Sequence, residues 1–137
     1  MEKKIINHTT LLISSGTSGI FSGLIGGICC CLPFFSGIVS VLIYEFIESK
    51  PISFSGAILA SSFSGFIAAI PASLLNLLAL AYVIKNQEKL SPDLQVLFSH
   101  VTTDQIHFLD TLLPMTFLFV TISVFGGLLH QLIRNST

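Results

Sequence analysis

Tryptophan is absent from this 137-residue chain, tyrosine occurs twice, and only 9% of the residues are charged. The scarcity of charge excludes the most. A water-facing globule normally carries about 25% charged residues, and six Lys/Arg with seven Asp/Glu cannot wet such a surface. Their formal sum of −1 provides no basic patch to neutralise phosphates, so nucleic acid is not expected as a partner. Two tyrosines leave little material for the aromatic belts that flank many membrane spans. Catalytic fingerprints are lacking too: there is no GxSxG, HExxH, P-loop or dinucleotide-binding glycine motif. Alanine does not occur before Ala57, so no A-x-A-like cleavage site follows the charged start MEKKIINHTT. Ile28 stands before Cys29 where a lipoprotein-type site needs a small residue, and the first apolar run is expected to be retained.

What the chain has instead is apolar length. Fifty-two per cent of residues are apolar and the mean hydropathy is +0.87. Residues 11–44 contain no charge, and the apolar character persists to Ile47. Those 37 residues would make a straight helix of about 55 Å, whereas a hydrocarbon core of about 30 Å needs roughly 20 residues. The run is too long for one span and long enough for two short ones. Pro33 removes a helical donor, which puts a tight hairpin at residues 29–33 between helices over 11–28 and 34–47. A second uncharged run, residues 51–84, reads as one long helix kinked at Pro71 and projecting beyond the bilayer. Residues 112–133 give a last span with Pro114 in its first turn.

The expected fold is therefore all-α: a single membrane domain over residues 1–137, built as a bundle of four transmembrane helices. Residues 1–50 form the first helical hairpin, and residues 51–137 form a second helical pair with an amphipathic extramembrane helix, residues 90–111, inserted between its members. Lys3, Lys4, Lys50 and Arg134 fall on one side of such a bundle and Lys85 and Lys89 on the other. Basic residues favour the inner side, so a multi-pass protein of the cell membrane with both termini cytoplasmic is expected. SGLIGGI over residues 22–28 also matches SGFIAAI over residues 64–70 at an offset of 42, with Phe21 and Phe63 before them. Duplication would relate the two hairpins as a parallel repeat.

The strongest pattern is a striping of small residues. Ser15, Gly19, Gly23, Gly27 and Cys31 recur every fourth position, beside Ser14, Ser18, Ser22, Gly26 and Cys30. The third helix repeats the device with Gly56, Ala60, Ser64, Ala68 and Ala72, beside Ala57, Ser61, Gly65, Ala69 and Ser73. Positions four apart share a helix face, and small faces let helix backbones approach closely in lipid. Gly19, Gly23, Gly27, Gly56, Ala60, Ser64 and Ala68 are the expected packing residues. Packing within one chain, an interface between subunits and the lining of a path through the membrane are the three readings of these faces.

The glycine-rich first helix, the run CCCLP over residues 29–33 and the Ser/Gly-rich third helix resemble a group of small prokaryotic four-span membrane proteins with a cysteine cluster after the first helix. The likeness covers roughly residues 15–70. It implies fold and membrane location and supplies no activity. The chain departs from that group at Pro33, where tryptophan often follows the Cys-Leu pair.

Four residues carry the chemistry that remains. At about 100° per residue, His100, Asp104, His107 and Asp110 share an arc of about 120° on one helix. They read as the solvated face of the amphipathic segment, with His–Asp pairs as helical neighbours. A divalent metal is the sharper alternative. Cys29, Cys30 and Cys31 are spaced too closely for an ordinary thiolate centre and read as small packing residues at a turn. His130, Glu45 and Glu48 fall at span ends within reach of water, and Asn76 is expected to hydrogen-bond to a neighbouring helix. No cofactor and no enzymatic activity are expected. The leading function is a structural or assembly component that meets the lipid bilayer, and in addition a second copy or another membrane protein. A small oligomeric permease or channel subunit is the alternative, and a metal-dependent membrane enzyme ranks third.

Overall fold

The computed structural model describes residues 6–26, 32–89, 91, 92, 95 and 108–136. Among them the chain is all-helical: α1 His8–Gly26, α2 Leu32–Glu48, α3 Phe54–Lys85, a short 3-10 turn Gln87–Lys89, and α4 Phe108–Ser136. Gly27, Cys29, Cys30, Cys31 and most of the expected amphipathic segment, including His100, Asp104 and His107, lie outside the described residues.

The helix ends follow local chemistry that apolar run lengths do not register. α1 begins at His8 rather than residue 11 because Asn7 caps it, its Oδ1 accepting from the amides of Thr9 at 3.2 Å and Thr10 at 3.5 Å. α2 begins at Leu32, so Pro33 lies inside the helix rather than in the turn before it. The first turn has no intrahelical acceptor for its amides, and a missing N–H there costs little. Ser49, with φ of 51°, then ends α2 in the left-handed conformation common after helix C-termini. Ser53 caps α3, its Oγ accepting from Gly56 N at 3.2 Å. α3 runs 32 residues through Pro71, and Lys85 in its last turn suits the negative end of the helix dipole. α4 starts at Phe108, four residues before the expected position, which moves Pro114 from the first turn into the helix interior.

Side-chain contacts set the directions. Ser15 of α1 reaches the Ala60 carbonyl of α3, and Ser18 reaches Ser64, so α1 and α3 run parallel. Gly37 lies against Ser123, Gly126 against Phe34 and Glu45 against Arg134, so α2 and α4 also run parallel. Ser36 meets Ser64 while Ser40 meets Ala60, which makes α2 and α3 antiparallel. α1 and α4 each pack on both α2 and α3, and α2 and α3 touch in the middle. Within the described part of the matched segments, Gly23 of α1 lies against Ala68 of α3. The hydrogen bonds between the two helices pair residues 45 and 46 apart, about one helical turn away from the sequence offset of 42.

Residue sizes are sorted in an unusual direction. Among the described residues, five of the ten buried hydrophobic residues are alanines, and ten serines are buried with them. The surface carries the large side chains, with Phe46 85%, Phe117 78% and Leu113 71% exposed. Among the described residues, two helical stretches, Phe54–Lys85 and Asp110–Ser136, are long and apolar enough to cross a membrane. The expectation of four such helices overreached on this measure. α2 has only 17 residues, and the 19 of α1 include His8, three threonines and four serines.

Candidate functional site

Serine hydroxyls from all four helices meet in the interior. Ser15 donates to the Ala60 carbonyl at 3.0 Å and Ser40 to the same oxygen at 3.1 Å, which joins α1, α2 and α3 at one atom. Ser123 of α4 donates to the Ser61 carbonyl at 2.8 Å, and Ser61 reaches the Gly37 carbonyl at 3.4 Å. Ser64 is the centre of the group. Its Oγ lies 2.8 Å from Ser18 Oγ and makes a very short contact with Ser36 Oγ.

Proton counting orients this chain. Each hydroxyl has one proton and two lone pairs. Ser18 gives its proton to the Ser14 carbonyl at 2.9 Å, so it accepts from Ser64, and Ser64 accepts from Ser36. The direction is Ser36 to Ser64 to Ser18 to backbone, an arrangement in which each bond polarises the next. Every donor in it is used. A nucleophilic serine needs a base within hydrogen-bond reach, whereas these hydroxyls face other hydroxyls and main-chain carbonyls. Ser73 differs: its Oγ is fully buried and has no hydrogen-bond partner.

Small residues make this convergence possible. A Cβ placed on Gly19 would lie 2.7 Å from the Ser64 carbonyl, and one on Gly23 would collide with the Ala68 carbonyl and the Pro71 ring. Gly65 meets the Phe119 carbonyl of α4 in the same way, at 2.7 Å. Ala60 and Ala68 are fully buried on the opposing face. Gly56 is placed otherwise. A Cβ placed there would lie 2.7 Å from the Ile52 side chain of the preceding connection.

Ionisable groups collect at one end of the bundle. Glu45 Oε1 accepts from Arg134 Nη1 and from the Ile52 amide, the latter at 2.9 Å, while His130 Nε2 lies 3.6 Å from Oε2. Arg134 Nη2 also donates to Gln131 Oε1 at 3.0 Å. Alongside, Glu48 Oε1 accepts from Asn7 Nδ2 at 2.8 Å and from Thr10 Oγ1, and the Tyr44 hydroxyl accepts from the Asn7 amide at 3.0 Å. Run lengths left Glu45 and His130 as separate residues facing water. Nothing local in the sequence pairs Glu45 with a cation 89 positions away. A spacing argument could have raised it, since Glu45 and Arg134 occupy the same end once four helices of alternating direction are assumed.

The remaining candidates are dispersed. Asp110 is exposed in the first turn of α4. Asn76 Nδ2 donates at 3.0 Å to Ala72 of its own helix, not to a neighbouring one. Among the described residues no three His, Cys, Asp or Glu side chains gather as metal ligands would. The surface has shallow apolar grooves. One of about 260 Å³ between α1 and α2 includes Phe21, Ile25, Phe35 and Val39, and another of about 530 Å³ between α3 and α4 includes Phe66, Leu113 and Phe117. Compared with known proteins, the chain matches no family model, no curated protein and no solved structure.

Proposed function

We propose that the chain is a multi-pass membrane protein whose four helices all cross the bilayer, and that it serves as a non-enzymatic structural or assembly component. The observation that carries this reading is the inverted partition: hydroxyls, Gly and Ala inside, Leu, Ile and Phe outside on every helix. In water that surface would far exceed the apolar patch a soluble monomer tolerates. In lipid it is the expected exterior, and the small inner faces supply the close packing that replaces hydrophobic drive. α1 and α2, at about 28 and 26 Å with their polar ends included, fall slightly short of a hydrocarbon core of about 30 Å, a mismatch that local thinning of the bilayer accommodates. Glu45, Glu48, Lys50 and Arg134 bound that slab on one side, and Lys85, Lys89 and the exposed Asp110 on the other. With Lys3 and Lys4 before α1 counted, the first end carries four Lys/Arg against two at the other, which supports cytoplasmic termini.

A permease would need a wetted route past Ser64, Ser73 and Asn76. Ser64 and Ser73 are fully enclosed, and the hydroxyl of Ser64 is engaged by two others. That favours the assembly reading. With Gly19, Gly23, Gly37 and Gly126 taken up inside the chain, contact with a second copy or another membrane protein would run through the larger outer side chains. Reporter fusions at Lys50 and Lys89 test the topology, and opposite sides are expected. Signals from the same side, or release of the protein by alkaline carbonate without detergent, would overturn it.

A further inference from the structure

We draw no further inference here: the strongest candidate, the apolar groove between α1 and α2 walled by Phe21, Ile25, Phe35 and Val39, is an unpartnered apolar face, and nothing in the structure shows what covers it.

Discussion

Gly37 and Gly126 are seated reciprocally where α2 crosses α4: the Cβ position of Gly37 points at the Ser123 carbonyl, and that of Gly126 at the Phe34 carbonyl. Each glycine occupies the space above a carbonyl of the other helix, so neither can gain a carbon without the helices parting.

Gly37→Ala therefore sets two effects against each other. Alanine is the better helix former by about 1 kcal/mol, but backbone collision costs roughly 1–3 kcal/mol. Collision should win, lowering the melting temperature in detergent. Gly16 is the control, because the space around its Cβ position is open. Gly16→Ala should raise the melting temperature. Equal shifts for both variants would mean that the α2–α4 crossing is not tight.

On α1 the comparison is between a large substitution and an isosteric one. Gly23→Leu forces a side chain into the Ala68 carbonyl and the Pro71 ring, while Ile25→Leu exchanges isomers at a residue 55% exposed. The first should cost several kcal/mol or abolish the folded monomer on size exclusion, and the second less than about 0.5 kcal/mol. Indistinguishable elution and unfolding curves would remove the α1–α3 contact from the account.

Ser64 and Ser73 are both fully buried on α3 and should respond in opposite directions. Ser64→Ala leaves the Ser36 proton without its acceptor and should destabilise by about 1 kcal/mol. Ser73→Ala removes a hydroxyl that has no partner and should stabilise by up to about 1 kcal/mol. Denaturant titrations in mixed micelles read both, and a loss of stability in Ser73→Ala would show that its hydroxyl is engaged after all.

At the polar end, Glu45→Ala, Arg134→Ala and the double variant form a thermodynamic cycle. The two side chains are 17% and 32% exposed, between the surface case, worth about 0–1 kcal/mol, and the buried one. A coupling of about 1 kcal/mol is expected. Glu45→Ala should be the costlier single change, since it also strips the Ile52 amide of its acceptor. Additive single effects would sink the pairing.

Much of this architecture was legible as period. Four-residue spacing of Gly, Ala and Ser marked the inner faces of α1 and α3, because a helix face is a local property of sequence. Helix ends were read less well. Asn7 extended α1 and the tolerance for proline in a first turn absorbed Pro33 into α2, and neither effect changes hydropathy. Alternating helix direction puts Glu45 and Arg134 at the same end, but the individual pairings between helices were not legible. The Glu45–Arg134 contact depends on which helices neighbour each other, and the serine chain through Ser18, Ser64 and Ser36 depends on a register that slid one turn from the repeat.

The parallel pairing of α1 with α3 also sets a schedule. Ser15 and Ser18 find their acceptor and hydroxyl partner 45 and 46 residues downstream, and Glu45 meets Arg134 89 residues downstream of itself. At roughly 5–20 residues per second of synthesis, the small face of α1 waits on the order of seconds for its counterpart, and Glu45 waits about twice as long. During that interval a serine-lined helix and a lone carboxylate are in transit without the groups that will later enclose them. A nascent chain stalled before α3, with both the small face of α1 and Glu45 unpartnered, should therefore be the form that chaperones and quality-control proteases engage.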